Sequence, residues 1–201
     1  AASAGDLFEE VTEQAGMKRL VPTAGAAWGD LNANGWPDLW VGNHHLEPPS
    51  LFINQGDGTF SDISQQAFSG QLRADFHGAS WADFDNDGDQ DLLVLTGGGA
   101  GRGISQNYMF VNENGRMVDR AQLLGLDYPL GRGRTPLWLD VDRDGFLDVV
   151  IINKPRGQKA PSALFLRSKD VFQNRSQEYE FRYGNWTSSE KLRWLIQCGS
   201  R

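Results

Sequence analysis

An all-β fold built from repeated four-stranded antiparallel units is predicted by three features of this 201-residue sequence. A Trp- and Asp-rich segment recurs three times. A short apolar run rich in β-branched residues follows each copy. Gly- and Asn-rich turns then stand where hairpins would close.

The repeat is explicit. Trp28-Gly29-Asp30-Leu31-Asn32-Ala33-Asn34-Gly35-Trp36-Pro37-Asp38-Leu39 returns as Trp81-Ala82-Asp83-Phe84-Asp85-Asn86-Asp87-Gly88-Asp89-Gln90-Asp91-Leu92, and again as Trp138-Leu139-Asp140-Val141-Asp142-Arg143-Asp144-Gly145-Phe146-Leu147-Asp148-Val149. The spacing is 53 residues from Asp30 to Asp83 and 57 from Asp83 to Asp140. A second element follows: Leu51-Phe52-Ile53-Asn54 matches Met109-Phe110-Val111-Asn112, and Leu164-Phe165-Leu166-Arg167 is a worn third copy. Runs such as Asp91–Thr96 and Asp148–Asn153 are too short for helices and read as strands. Asn54–Gly58 and Asn112–Gly115 read as hairpin turns, because Gly and Asn accept positive φ at low cost. Each unit then has a strand before the Asp loop, a strand after it and a closing hairpin. A four-stranded unit repeating every ~40–50 residues is the β-propeller blade pattern, so three blades, a partial propeller, are expected.

On this reading residues 1–22 are a trailing outer strand of a preceding blade, carried by Leu7-Phe8-Glu9-Glu10-Val11-Thr12. Repeats then occupy 23–70, 71–127 and 128–181, and 182–201 are a tail or the start of a further blade. Propellers close with about 4–8 blades, so a piece of a larger protein is expected, with self-association of three-blade halves into a ring or an open array with exposed edges as the alternatives.

Composition narrows the function classes. A 39% hydrophobic content with seven Trp and eleven Phe supports a packed core. The net charge of −7 argues against nucleic-acid binding, which needs clustered Lys and Arg. No apolar run approaches the ~20 residues of a membrane span. Cys198 is the one cysteine and reads as an idle thiol. Asn174-Arg175-Ser176 and Asn185-Trp186-Thr187 fit the short acceptor pattern for glycosylation, a weak signal.

The Asp loops carry the chemistry. Each has the form D-x-D/N-x-D/N-G-x-x-D, and alternate side chains on a tight loop converge on one point. Carboxylate and carbonyl oxygens suit Ca²⁺, which takes about 6–8 of them. The predicted ligands are Asp30, Asn32, Asn34, Asp38 and the carbonyl of Trp36; Asp83, Asp85, Asp87, Asp91 and the carbonyl of Asp89; and Asp140, Asp142, Asp144, Asp148 and the carbonyl of Phe146. Up to three Ca²⁺ are expected, the first loop binding most weakly because two of its ligands are Asn. A helix–loop–helix calcium hand needs a Glu at the twelfth loop position; Val41, Val94 and Ile151 stand there, inside strand patterns.

At these residues the chain resembles the FG-GAP/VCBS repeat family. Phe76-His77-Gly78-Ala79-Ser80-Trp81-Ala82-Asp83 is the closest match, Thr23–Trp28 repeats its lead-in, and Arg134–Trp138 has lost the Gly. The turn Asn54-Gln55-Gly56-Asp57-Gly58-Thr59-Phe60 is similar to the bacterial and cartilage-acidic-protein branch. The resemblance implies calcium in the loop between the first and second strand of each blade, with a structural role, and an extracellular, cell-surface or periplasmic setting.

The expected function is a calcium-stabilised module that binds protein or glycan, not an enzyme. Its recognition surface would be the loops opposite the calcium sites: His44, His45 and Glu47; Gly97 to Arg102; Lys154, Arg156 and Lys159. A structural spacer is the alternative, and a hydrolase on that loop face a third. No Ser elbow or H-E-x-x-H motif accompanies the histidines, and His77 reads as a hydrogen-bonded core residue. Trp28, Trp81 and Trp138 read as core, and Trp36 as exposed.

Overall fold

In the computed structural model, residues 8–68, 70, 72–97, 106–129, 131–154 and 161–181 are described. Gly98–Arg102, Arg156, Lys159, Asn185, Cys198 and the segment 182–201 lie outside them.

Three four-stranded antiparallel sheets form, each in simple sequential order. The first contains β1 (Thr23–Gly29), β2 (Asp38–Asn43), β3 (Ser50–Asn54) and β4 (Phe60–Asp62). After a one-turn helix α1 (Ser64–Ala67), the second contains β5 (Phe76–Ala82), β6 (Asp91–Thr96), β7 (Tyr108–Glu113) and β8 (Arg116–Asp119). After α2 (Ala121–Leu124), the third contains β9 (Gly133–Leu139), β10 (Asp148–Asn153), β11 (Ala163–Ser168) and β12 (Val171–Asn174). This is the expected all-β architecture of partial propeller blades. The hairpin turns are as predicted: Gly56, Gly58, Asn114 and Gly115 all have positive φ.

The sheets pack face to face, so a middle strand is covered on both sides. All six residues of β6 are buried, which explains its continuous rather than alternating apolar pattern. One core lies between the first and second blades around Trp40, Leu51, Phe76, Leu92 and Phe110. A second lies between the second and third around Leu93, Met109, Val149, Ile151 and Phe165.

The two short helices differ from the sequence expectation, which gives the repeats strands and turns alone. They serve as inter-blade plugs. Ala67 and Phe68 enter the first core, and Ala121, Leu124 and Leu126 the second. After β12 the equivalent segment lays Tyr179 and Phe181 on the outer core of the third blade, beside Val141, Val150 and Leu164. Each plug is entered through the same Asx turn: Asp62 Oδ1 accepts from Ser64 N at 2.9 Å, Asp119 Oδ1 from Ala121 N at 3.0 Å, and Asn174 Oδ1 from Ser176 N at 3.1 Å.

Close approach of the innermost strands depends on glycine. A Cβ on Gly25 would lie 2.2 Å from the carbonyl oxygen of His77, and one on Gly78 would lie 1.8 Å from that of Arg134. The lead-in Gly of the repeat is therefore a blade-packing residue. Thr135 replaces it in the third blade, where the strand face is exposed.

Two expectations need correction. The described residues ahead of β1 form no strand; 12–16 are a turn whose Ala15 carbonyl accepts from Phe60 N at 2.9 Å. A strand needs a ladder of outward backbone bonds, and here the N–H groups of Ala15, Gly16 and Met17 turn back onto the carbonyls of Val11, Glu13 and Thr12. Trp28 is not core: it is 59% exposed. Trp81 and Trp138 are covered because each lies against the blade before it, and no described blade precedes Trp28.

Candidate metal centres in the acidic loops

The three Asp loops connect β1 to β2, β5 to β6 and β9 to β10, and their backbones are congruent. Ala33, Asn86 and Arg143 have φ of 53°, 63° and 62°, and Gly35, Gly88 and Gly145 have φ of 85°, 97° and 89°. Nothing lies within 4 Å of a Cβ built on any of these glycines, so Gly is required there for conformation and not for space.

Loop N–H groups fold onto the first Asp. Gly35 N donates to Asp30 Oδ2 at 2.8 Å, Gly88 N to Asp83 Oδ2 at 3.1 Å, and Gly145 N to Asp140 Oδ2 at 3.1 Å. The third ligand position makes a second turn: Trp36 N donates to Asn34 Oδ1, Asp89 N to Asp87 Oδ1 and Phe146 N to Asp144 Oδ1. Trp36 is 52% exposed and its ring lies against Gly56 of the neighbouring hairpin.

Carboxylate oxygens of Asp83, Asp85 and Asp91 lie within 4.8 Å of one another, as do those of Asp140, Asp142 and Asp148. The first loop assembles a less acidic set, with Asp30 and Asp38 alongside the amides of Asn32 and Asn34. Burial, reinforced by the charges of Asp85 and Asp89 and opposed by hydrogen bonds from Asn112 and Phe84, pushes Asp91 up to about 7. Burial and the charges of Asp87, Asp85 and Asp83 push Asp89 up to about 6. Burial, opposed by N–H donors of Arg167 and Val141, pushes Asp148 up to about 6. Asp38, Asp85 and Asp142 are raised as well, each chiefly by burial. Asp85 Oδ1 and Asp89 Oδ1 are buried and have no hydrogen-bond partner. Crowded carboxylates with orphaned oxygens fit a divalent cation, whose charge would reverse these shifts. The orphaned side-chain oxygen of Asp89 was not anticipated, since the sequence assigned that residue a main-chain ligand.

The last Asp of each loop has a second role that the sequence concealed. Asp38 Oδ2 accepts from Leu31 N at 2.9 Å and its Oδ1 from Asn54 N at 2.8 Å. Asp91 takes Phe84 N at 3.4 Å and Asn112 N at 2.9 Å, and Asp148 takes Val141 N and Arg167 N, both at 2.8 Å. Each fully buried carboxylate thus staples its loop to the third strand of its blade.

Residues at the end of the third strand also join blades. Asn112 Nδ2 donates to Leu31 O of the preceding blade at 2.9 Å. Arg167 stands in the corresponding place, and its Nη1 donates to Phe84 O. The worn third repeat therefore keeps the contact with a longer donor. Asn54, with no described blade before it, donates to Pro37 O instead.

The model of the FG-GAP-like repeat matches residues 30–94, spanning the first loop through β6. Cartilage acidic protein 1 of Xenopus tropicalis is 27% identical over 150 residues, covering 73% of this chain and 22% of that protein. The Homo sapiens and Mus musculus proteins of the same name are 25% and 26% identical over 161 residues, covering 79% of this chain and 23% and 24% of theirs. The chain thus spans under a quarter of the length of these relatives. The repeat match over residues 30–94 and these relatives show what the chain is similar to, the FG-GAP-like repeat, and the Trp–Asp-loop unit that the match spans is present in all three blades.

Proposed function

We propose that this chain is a calcium-stabilised stretch of β-propeller that serves, outside the cytoplasm, as a binding module for a protein or glycan. The observation that carries the calcium reading is the clustering of Asp83, Asp85 and Asp91, and of Asp140, Asp142 and Asp148, on congruent loops, with buried oxygens of Asp85 and Asp89 in the second loop left without partners. Calcium would be held by those residues, with Asp30, Asn32, Asn34 and Asp38 forming a weaker site. Its work is structural: it neutralises carboxylates that burial and mutual repulsion otherwise drive toward protonation. Millimolar calcium outside cells suits sites of moderate affinity. Among the described residues no helix is long and apolar enough to cross a membrane.

Recognition is assigned to the loops at the opposite ends of the strands, which a rigid scaffold presents. A spacer role uses the same calcium and lacks only the ligand; a glycan array and a surface-protein pull-down separate the two.

Thermal unfolding in excess calcium, in chelator and in magnesium tests the core of this reading. A calcium-specific rise in Tm is expected, because a ligand that binds only the folded state stabilises it by mass action. Asp85→Asn with Asp142→Asn should remove most of the rise. An unchanged Tm in a folded sample would refute calcium binding.

A further inference from the structure

His44, Asp75 and His77 come together at the ends of the strands away from the acidic loops. His44 follows β2, whose first residue, Asp38, closes the first loop; the intervening strand is roughly 17 Å long. Asp75 and His77 flank Phe76 at the start of β5. Phe76 is buried in the inter-blade core, and its two neighbours in sequence face the other way, as alternation in a strand requires. One carboxylate meets both rings: Asp75 Oδ1 is 2.5 Å from His44 Nδ1, and Asp75 Oδ2 is 3.3 Å from His77 Nε2. The rings of His44 and His77 meet edge to face, with centroids 4.8 Å apart.

We propose that His44, Asp75 and His77 form a site for a borderline divalent transition metal of the zinc class, separate from the calcium loops. One ligand atom from each residue falls within a 4.8 Å cluster. Zinc–nitrogen and zinc–oxygen bonds of about 2.0 Å place tetrahedral ligands roughly 3.3 Å apart, so small ring movements suffice. Two imidazoles with one carboxylate favour such a metal over calcium, which prefers an all-oxygen shell. Three protein ligands leave one position for water or for a donor from a bound partner.

The supporting structure is specific. His44 N donates to Pro22 O at 2.8 Å, and Gly97 N donates to Asp75 O at 2.7 Å. A Cβ on Gly97 would lie 2.0 Å from His77 Nε2, so glycine keeps a side chain out of the space beside that nitrogen. Arg132 Nε of the third blade holds Gly97 O at 3.2 Å. Side-chain exposures of 34%, 17% and 13% for His44, Asp75 and His77 leave the cluster reachable but sheltered.

Zinc titration calorimetry on the full chain in saturating calcium, so that the acidic loops are already occupied, tests the site. Cobalt(II) absorption serves as a second readout. About one equivalent of zinc is expected to bind, with visible cobalt bands typical of nitrogen ligation. His44→Ala, on a partly exposed side chain, should weaken binding by more than about tenfold while the circular dichroism spectrum stays unchanged. His77→Gln should do the same. No zinc uptake in calcium, or equal affinity in the wild-type and His44→Ala chains, would overturn the proposal. It stands or falls independently of the calcium reading, which is measured by the Tm shift.

Discussion

The indole N–H of Trp81 donates to the carbonyl of Ala27 across the boundary between the first two blades, at 3.1 Å. Trp138 repeats the bond to Ser80 O of the second blade, at 3.4 Å. The Trp before the second and third Asp loops is thus an inter-blade bolt: its polar tip donates to an inner-strand carbonyl of the preceding blade, and the ring of Trp81 covers Gly29 there. Leu137, the third-blade counterpart of Ala27 and Ser80, is 39% exposed, and the matching Trp28 at the other side is 59% exposed. The two outer faces are the complementary halves of the contact made twice inside.

Removing this bolt should cost more than removing its exposed counterpart. Trp81→Ala is expected to destabilise by about 3–5 kcal/mol, as for other large-to-small changes in a packed interior. Trp81→Phe keeps most of the ring, loses the hydrogen bond and should cost about 1 kcal/mol beyond its packing change. Trp28→Ala in the same chain should stay within about 1 kcal/mol of the wild type. Urea denaturation in calcium measures all three. Equal losses at Trp28 and Trp81 would contradict the assigned packing.

The last Asp and the middle Asp of a loop should separate into staple and ligand. Asp148→Ala leaves the Val141 and Arg167 N–H groups without their acceptor, at about 1–3 kcal/mol for each buried donor. That loss should appear in chelator as well as in calcium. Asp142 is exposed and lies among like charges, so Asp142→Asn should be neutral or mildly stabilising in chelator and should lower only the calcium response. Denaturation curves of both variants with and without calcium decide the matter; identical behaviour would dissolve the distinction.

Glycine in the inner strand should be required only where another blade packs on it. Gly78→Ala places a methyl against the Arg134 carbonyl and should destabilise by about 1–3 kcal/mol, the usual cost of overpacking. Thr135→Ala changes an exposed residue at the same repeat position and should shift stability by less than about 0.5 kcal/mol. Paired Tm measurements check this, and a Gly78→Ala variant as stable as the wild type would mean that the blades sit farther apart than the structure places them.

Much of this protein was legible in its sequence because the information is local. The Trp–Asp-loop register, the strands after each loop and the Gly-Asn hairpins depend on residues within a dozen positions of one another, and β6, β10 and the turns at Gly56 and Gly115 follow from that alone. The candidate ligands were legible for the same reason, since alternate side chains on one tight loop need no distant partner to converge. What only the tertiary structure decided lies between repeats. Trp28, Trp81 and Trp138 look equivalent along the chain, yet only the latter two are covered, because burial depends on the neighbouring blade. Arg167 breaks the Asn54 and Asn112 pattern along the chain, and only the packing of two blades brings its Nη1 to Phe84 O, as Asn112 Nδ2 is brought to Leu31 O. Nothing local marks Asp75 beside His77, since its other partner, His44, is 31 residues away and reaches it only when two blades pack side by side. A repeat sequence specifies each blade; the contacts between blades arise from surfaces that no single repeat contains.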